Sequence, residues 1–391
     1  MTTATLYHFL RRELADIMLD PWLLSLVSWI PPLLFVTMWW IFSQGIPTDL
    51  PIGVVDLDKS KLSRSLIRNY EASPSLAVTD SYLAVSEGAS ALRAGTIYGL
   101  VVLPVDLEEH VTLGRPPQVV AFVNSQFLLI GKIVSNALLE AQGTLTTKVE
   151  VVKSMATSPP VMDMALAAVM PITSQVTPLF NISKNYAHFL VSAILPAVWQ
   201  IIMVAAAVLS MAFAQRKYGL TSWFGDHPCL SLTAKIIVLS ILLWLQGLFF
   251  LSLMYVFLGW PMHGSWFLLI IAQAATALAS VGIGCLIFLL IRDAARGLSI
   301  AAAYVAPGLA FMGVTFPVTD MTLPAKIWRS FIPVCHYIEI QFGQVNYAAP
   351  IITAIIPMRN LVLLLIPTLL AFLIIYRLYS NKGASLAEET A

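Results

Sequence analysis

The chain is poor in charge: only 11% of its 391 residues are Asp, Glu, Lys or Arg, while 58% are hydrophobic and the mean hydropathy is +0.82. That balance lies outside the range of water-soluble domains and reads as an integral membrane protein. A net charge of +1 gives no basic excess of the kind nucleic acid demands, so no nucleic acid partner is expected. Cysteine is scarce too. Cys229, Cys285 and Cys335 are odd in number and lie outside any C-x-x-C or His/Cys cluster, which argues against a disulfide framework and against zinc. A nucleotide-binding loop is also missing. Gly131-Lys132 has Gln126 where the upstream glycine belongs and Ile133 in place of Ser or Thr. There is no G-x-S-x-G and no H-E-x-x-H, so neither a catalytic site nor a metal or cofactor held by this chain is expected.

What is present is a polar interruption, Gly45 to Ala187, inside an otherwise apolar chain. Before it, Thr3 to Asp20 sets Leu6, Phe9, Leu10, Leu14, Ile17 and Met18 at helical spacing, with Arg11, Arg12, Glu13, Asp16 and Asp20 mostly on the other side. This predicts an amphipathic helix on a membrane surface. Trp22 to Phe42 then runs without a charge for long enough to cross the hydrocarbon core. It is longer than a signal-peptide core and ends in a poor cleavage site, so an uncleaved anchor is expected.

Within the interruption, strand-like and helix-like pieces alternate. Strands are predicted at Pro51 to Val55, Leu76 to Val78, Tyr98 to Leu103 and Val119 to Val123, and helices at Ser60 to Ala72, Ser86 to Ala94 and Val105 to Leu113. A small α/β domain follows from that alternation. Phe127 to Ala156 reads as a long amphipathic helix, and Val169 to Phe180, cut by Pro171 and Pro178, as extended chain. Met162 and Met164 beside Asp163 read as filler, and Asn181-Ile182-Ser183 as a chance glycosylation sequon.

Five further apolar segments follow, at about His188 to Phe213, Thr233 to Leu258, Trp266 to Ile291, Leu298 to Phe316 and Leu361 to Tyr379. The fold class expected is therefore an α-helical polytopic membrane protein of six transmembrane helices with an inserted α/β extracytoplasmic domain. The basic residues orient it: Arg11, Arg12, Arg216, Lys217, Arg292, Arg296, Arg377 and Lys382 fall on one side, against only Lys326 and Arg329 in the short loops of the other. Both termini are thus expected in the cytoplasm. The domains predicted are an interfacial helix at 1–21, a first span at 22–44, the extracytoplasmic domain at 45–187, a five-span domain at 188–380 and a cytoplasmic tail at 381–391. Short external helices are expected at about 323–346, two pieces parted by Pro333 that lie on the surface or re-enter the membrane.

Polar residues in the apolar part are the candidates for a pathway or gate. His336 and Glu339, three apart on one helix face, read either as a gate pair or as a plain structural pair. Gln200, Gln246 and Gln273 sit within spans, where facing lipid is unfavourable, so they should face a helix interface or a pathway. Small-residue runs at Ala272 to Ala277 and Ser280 to Gly284 predict close helix packing.

Several segments of this layout are distinctive in their order and spacing: Arg11-Arg12-Glu13-Leu14 with Asp20-Pro21, Ile52 to Asp58 followed by Leu62 to Leu66, and Tyr98 to Pro104. Further along come Phe180-Asn181 with Tyr186, then Gly313, Phe316-Pro317, Met321 and Ile332-Pro333. Together they resemble one family, the membrane subunits of type-2 ABC export permeases with a large external domain after the first span. The resemblance implies a permease that works as a dimer with a second copy or a paralogue. Separate ABC ATP-binding subunits would supply the ATPase, and a periplasmic adaptor protein would be a further partner. It implies ATPase contact through residues 1–20 and 214–232, with Arg11, Arg12, Glu13, Arg216, Lys217 and Gly219 as candidates. It implies the bacterial cytoplasmic (inner) membrane as location and the lipid bilayer as surroundings. One departure stands out: Gln215 to Thr221 keeps the glycine of the family's coupling loop but lacks its two glutamates. A membrane-anchored sensor or assembly factor, whose external domain binds a ligand or periplasmic partner, is the alternative.

Overall fold

The computed structural model describes residues 3–43, 45–113, 115, 117–157, 185–225 and 227–389. They fall into two units, one formed by residues 1–45 with 178–391 and the other by 46–177. The extended stretch predicted at 169–180, the methionines at 162 and 164 and the sequon at 181–183 lie outside the described residues.

The first unit opens with α1 (Thr3–Leu19). Asp20 ends it and starts α2 (Pro21–Val27), its Oδ1 accepting from the backbone N–H of Trp22 and Leu23, with Pro21 in the first turn where no donor is needed. α3 (Ile30–Phe42) follows at a bend of 45°. The single span expected at 22–44 is therefore a broken pair. Pro31 and Pro32 explain it, since each lacks an N–H and its ring clashes with the preceding turn.

The second unit is built on a sheet. Its strands are β1 (Leu50–Asp56), β2 (Leu76–Ser81), β3 (Gly99–Leu103) and β4 (Val120–Val123), in the order β2-β1-β3-β4. β1 is parallel to both neighbours and β4 closes one edge antiparallel to β3. β2 runs on to Ser81, beyond the expected Val78, because pairing with β1 resumes after a register shift at Ile52/Gly53. Between strands come α4 (Lys61–Glu71), α5 (Val85–Ala94) and α6 (Leu107–Thr112), and α7 (Leu128–Thr157) follows β4. Leu66 and Tyr70 of α4 and Val134 and Leu138 of α7 bury against Ile52, Val54 and Val101 on one face of the sheet. Ala91 and Leu92 of α5 meet Val55, Ile97 and Leu100 in a separate small core.

The first unit resumes with α8 (Tyr186–Tyr218), α9 (Leu220–Phe224) and α10 (Pro228–Ser252), which continues as one π-helical turn to Phe257. Next are α11 (Trp266–Ile291), α12 (Ala294–Val305), α13 (Gly308–Phe311), α14 (Leu323–Ser330), α15 (Pro333–Val345), α16 (Ile355–Leu363) and α17 (Ile366–Glu389). The segment predicted as one span at 298–316 begins earlier and is interrupted at Pro307, and the last one is interrupted before Pro367. Among the described residues five helical stretches are long and apolar enough to cross a membrane, or six if α2 and α3 count as one. The chain is thus a mostly helical, polytopic membrane protein.

α11 is the centre of this unit and packs against α8, α10 and α17. Its small residues permit that. A Cβ on Gly284 would lie 2.7 Å from the Val204 carbonyl oxygen and 2.6 Å from Ala207 Cβ of α8, and one on Gly282 would collide with Thr368 of α17. Backbones approach closely only where no side chain intervenes.

Candidate functional site

Two polar groupings stand out in the helical unit. The first lies under α1. Glu13, Asp16 and Asp20 are three and four residues apart, which puts them on one side of the chain as α1 turns into α2. That side faces inward: the three are 1%, 3% and 5% exposed, whereas Tyr7, Met18 and Leu19 are more than 60% exposed. The expected interfacial helix, with apolar face down and charges out, is inverted at these positions. Each acid meets a base from further along the chain. Lys235 Nζ of α10 is 2.6 Å from Glu13 Oε2, Lys217 Nζ of α8 is 2.7 Å from Asp16 Oδ1, and Arg216 Nη2 is 3.2 Å from Asp20 Oδ2.

The innermost pair is completely enclosed. Lys235 is 1% exposed and donates also to Ser210 Oγ at 2.7 Å and to the Ser210 carbonyl at 3.2 Å, so its three protons have three acceptors. The other oxygen of Glu13 accepts from Trp223 Nε1 at 3.0 Å and from Arg12 Nη2 at 3.2 Å. Arg12 in turn donates to the Trp223 carbonyl at 3.3 Å, and both cations lie over the Trp223 ring. Taking two charges out of water is unfavourable unless every donor and acceptor is answered; those of Glu13 and Lys235 are, while Arg12 Nε and Asp16 Oδ2 beside them have no partner among the described residues. Tyr218 Oη donates to Asp16 Oδ1, adding a neutral contact.

Of the residues expected to meet a partner, Arg11 is exposed and Arg12 half-buried; the side chain of Arg216 is 63% exposed and that of Lys217 34%. Glu13 is the correction: it has no surface to offer, because its carboxylate is consumed by Lys235, Trp223 and Arg12. Gly219 separates α8 from α9 at φ +73° and ψ 138°, a backbone conformation that glycine adopts without strain. Lys235 escaped the sequence reading because a lone lysine near the start of an apolar run looks like a polar flank; the acids on one side of residues 13–20 were the signal that a buried base was needed.

The second grouping is a set of glutamines around α15. Gln200 Oε1 accepts from the Val334 N–H at 2.8 Å, answering a donor that the first turn of α15 leaves open. Gln246 Nε2 donates to the Val27 carbonyl at 3.1 Å, tying α10 to α2, and Gln273 lies where Gly247 and Trp199 approach. Gln341 and Gln344 were not anticipated. Gln344 Oε1 accepts from Ser265 N–H at 2.9 Å. Gln341 Nε2 donates to the Ser192 carbonyl at 3.0 Å and lies 3.1 Å from Tyr255 Oη. The reason is Pro196, inside α8: it has no N–H, so the carbonyl four residues earlier, that of Ser192, loses its helical partner and Gln341 supplies one. The void among Pro196, Trp199, Gln273, Tyr337 and Gln341 is about 10 Å³, room for one water at most. Accordingly, Gln341→Leu is expected to lower stability by about 1–3 kcal/mol through the stranded carbonyl. Pro196→Ala added to it should return part of that by restoring the N–H. Thermal unfolding of the purified chain measures both.

His336 and Glu339 do not pair. Glu339 Oε2 binds Arg329 Nη2 of α14 at 2.9 Å, and His336, 2% exposed, hydrogen-bonds the Ser330 carbonyl through Nε2 at 3.1 Å. Burial pushes the His336 pKa below the usual histidine range, so a neutral ring offers Glu339 less than the Arg329 cation does. α15 is buried along much of its length while α14 has no buried residue, so the two short helices expected to lie on the surface or re-enter the membrane differ from each other in burial.

Residues 21–377 match the family model described as ABC-2 family transporter protein. No curated protein and no solved structure matches the chain.

Proposed function

From a chain that belongs to the ABC-2 family of transporter proteins, and is therefore a membrane permease of the ABC type, we propose the permease subunit of an ATP-driven exporter. Two such subunits, identical or paralogous, form the pathway at their interface, and ATP is bound and hydrolysed on separate subunits. The observation that carries this reading is the seat of α1. Three acids tie the N-terminal helix to the ends of α8 and α10 through Arg216, Lys217 and Lys235. A load applied to α1 or to the α8–α9 turn therefore reaches the spans directly. Glu13 acts within that seat; Arg11, Arg12, Arg216, Lys217 and the Gly219 turn face the ATPase.

Closure of the ATPase around ATP moves this end of the bundle and shifts the population between inward- and outward-open states. Gln200, Gln246 and Gln273, with His336 and Glu339, shape the helix contacts that rearrange. The domain at 45–187 lies outside a bacterial inner membrane, with both termini in the cytoplasm, and docks a periplasmic adaptor or gates release. Purification from the native membrane tests the reading: an ABC ATPase is expected to co-purify, and its absence removes the central step. Arg216→Ala or Gly219→Val is expected to leave the ATPase bound while hydrolysis no longer drives export. Unchanged export in both variants counts against this assignment of the contact.

A further inference from the structure

The unit at 46–177 contains a half-open cavity of about 630 Å³, inside the size range of sites for drug-sized molecules. Its floor is apolar and its rim polar. Its origin is the length of α7. The helix lays Val134, Leu138 and Ala141 on the sheet, and the same stripe continues at four-residue steps to Leu145 and Val149, where it lines the cavity instead. The facing wall is Leu66 of α4 and Leu107 and Val111 of α6.

The rim carries charge of both signs. Arg115 and Glu150 border the cavity, both are exposed, and neither enters an ion pair with another described residue. Gln142, half-buried on the same lining, is fixed by donating to Tyr70 Oη at 3.0 Å. A hydrocarbon without a headgroup would gain from neither rim charge, both of which are otherwise hydrated. An anionic amphiphile would gain Arg115 but meet Glu150, and a cationic one the reverse. Only a headgroup with both charges pairs with the two together and gains a modest increment from each.

We propose that this cavity binds a single-chain zwitterionic amphiphile, its hydrocarbon tail against Leu66, Leu107, Leu145 and Val149, its anionic group at Arg115 and its cationic group at Glu150. The site stands independently of the export reading, since binding requires no transport.

The test uses the full chain in lipid nanodiscs and four photoreactive dodecyl probes that differ only in headgroup: phosphocholine, trimethylammonium, sulfate and maltoside. Cross-links are mapped by mass spectrometry, and labelling of α10 and α11 by each probe serves as the internal reference for general partitioning. Two exposed charge pairs predict that the phosphocholine probe labels the α7 segment around Leu145 and Val149 roughly fivefold over the other three. Leu145→Trp, which fills the cavity, should abolish this label. Arg115→Glu, a surface change that leaves the fold intact, should move the preference to trimethylammonium, and Arg115→Glu with Glu150→Arg should return it to phosphocholine. Equal labelling by the four probes, no labelling of α7, or a preference that ignores the rim substitutions overturns the proposal.

Discussion

Lys235→Met alone is expected to destabilise the helical unit by about 3–5 kcal/mol, because it leaves the Glu13 carboxylate buried without its main partner. Nothing nearby compensates. Glu13 is 1% exposed, so water cannot reach it while α1 stays in place, and Arg12 is already shared with the Trp223 carbonyl. The loss should show as a lower unfolding temperature and as protease sensitivity concentrated in α1. Glu13→Leu together with Lys235→Met should recover most of it, since a buried ion pair replaced as a whole by apolar side chains is often neutral or stabilising. A methionine variant as stable as the parent would mean that α1 lifts away readily, and the seat could not then transmit force. Recovered stability in the double variant without recovered ATP-driven export would separate the mechanical role proposed for the pair from its role in holding the fold.

Gly284→Val should be nearly as damaging, by about 3 kcal/mol, at the upper end of ordinary overpacking. The obstacle is backbone: the Val204 carbonyl of α8 stands 2.7 Å from where a Cβ would go, and it can yield only if the two helices part. A flexible side chain could swing aside, but a carbonyl held in α8 cannot. The unfolding temperature of the purified variant measures the loss. Gly143→Ala in α7 provides the control, because no atom lies within 4 Å of the added Cβ and the helix gains up to about 1 kcal/mol in propensity. Equal effects of the two substitutions would show that the α8–α11 approach is not tight.

Much of this organisation was legible from local pattern. Hydrophobic runs of membrane length marked the spans because a bilayer demands about twenty apolar residues whatever their neighbours. Short apolar runs alternating with amphipathic helices marked the insert, because a parallel strand covered on both faces is apolar at nearly every position while a helix repeats at 3.6 residues. Ser60, the first residue of a helix predicted there, caps α4 in the structure, its Oγ accepting from the Ser63 N–H at 3.0 Å; sequence pattern alone leaves Ser60 and Asp58 both open as the cap. The breaks at Pro31-Pro32, Pro307 and Pro367 were equally local, yet they were passed over because hydropathy averages across them.

Pairings across the chain were another matter. Glu13 meets Lys235, Gln341 meets Ser192, and Glu339 chooses Arg329 over His336 although His336 lies at helical spacing on its own helix. Composition and periodicity by themselves determined that this is a polytopic membrane protein with a polar insert, because those properties depend on the solvent each segment needs. Only the tertiary structure decided that the acidic side of residues 13–20 turns inward, since a carboxylate's preference for protein over water depends on which distant cation the fold delivers to it.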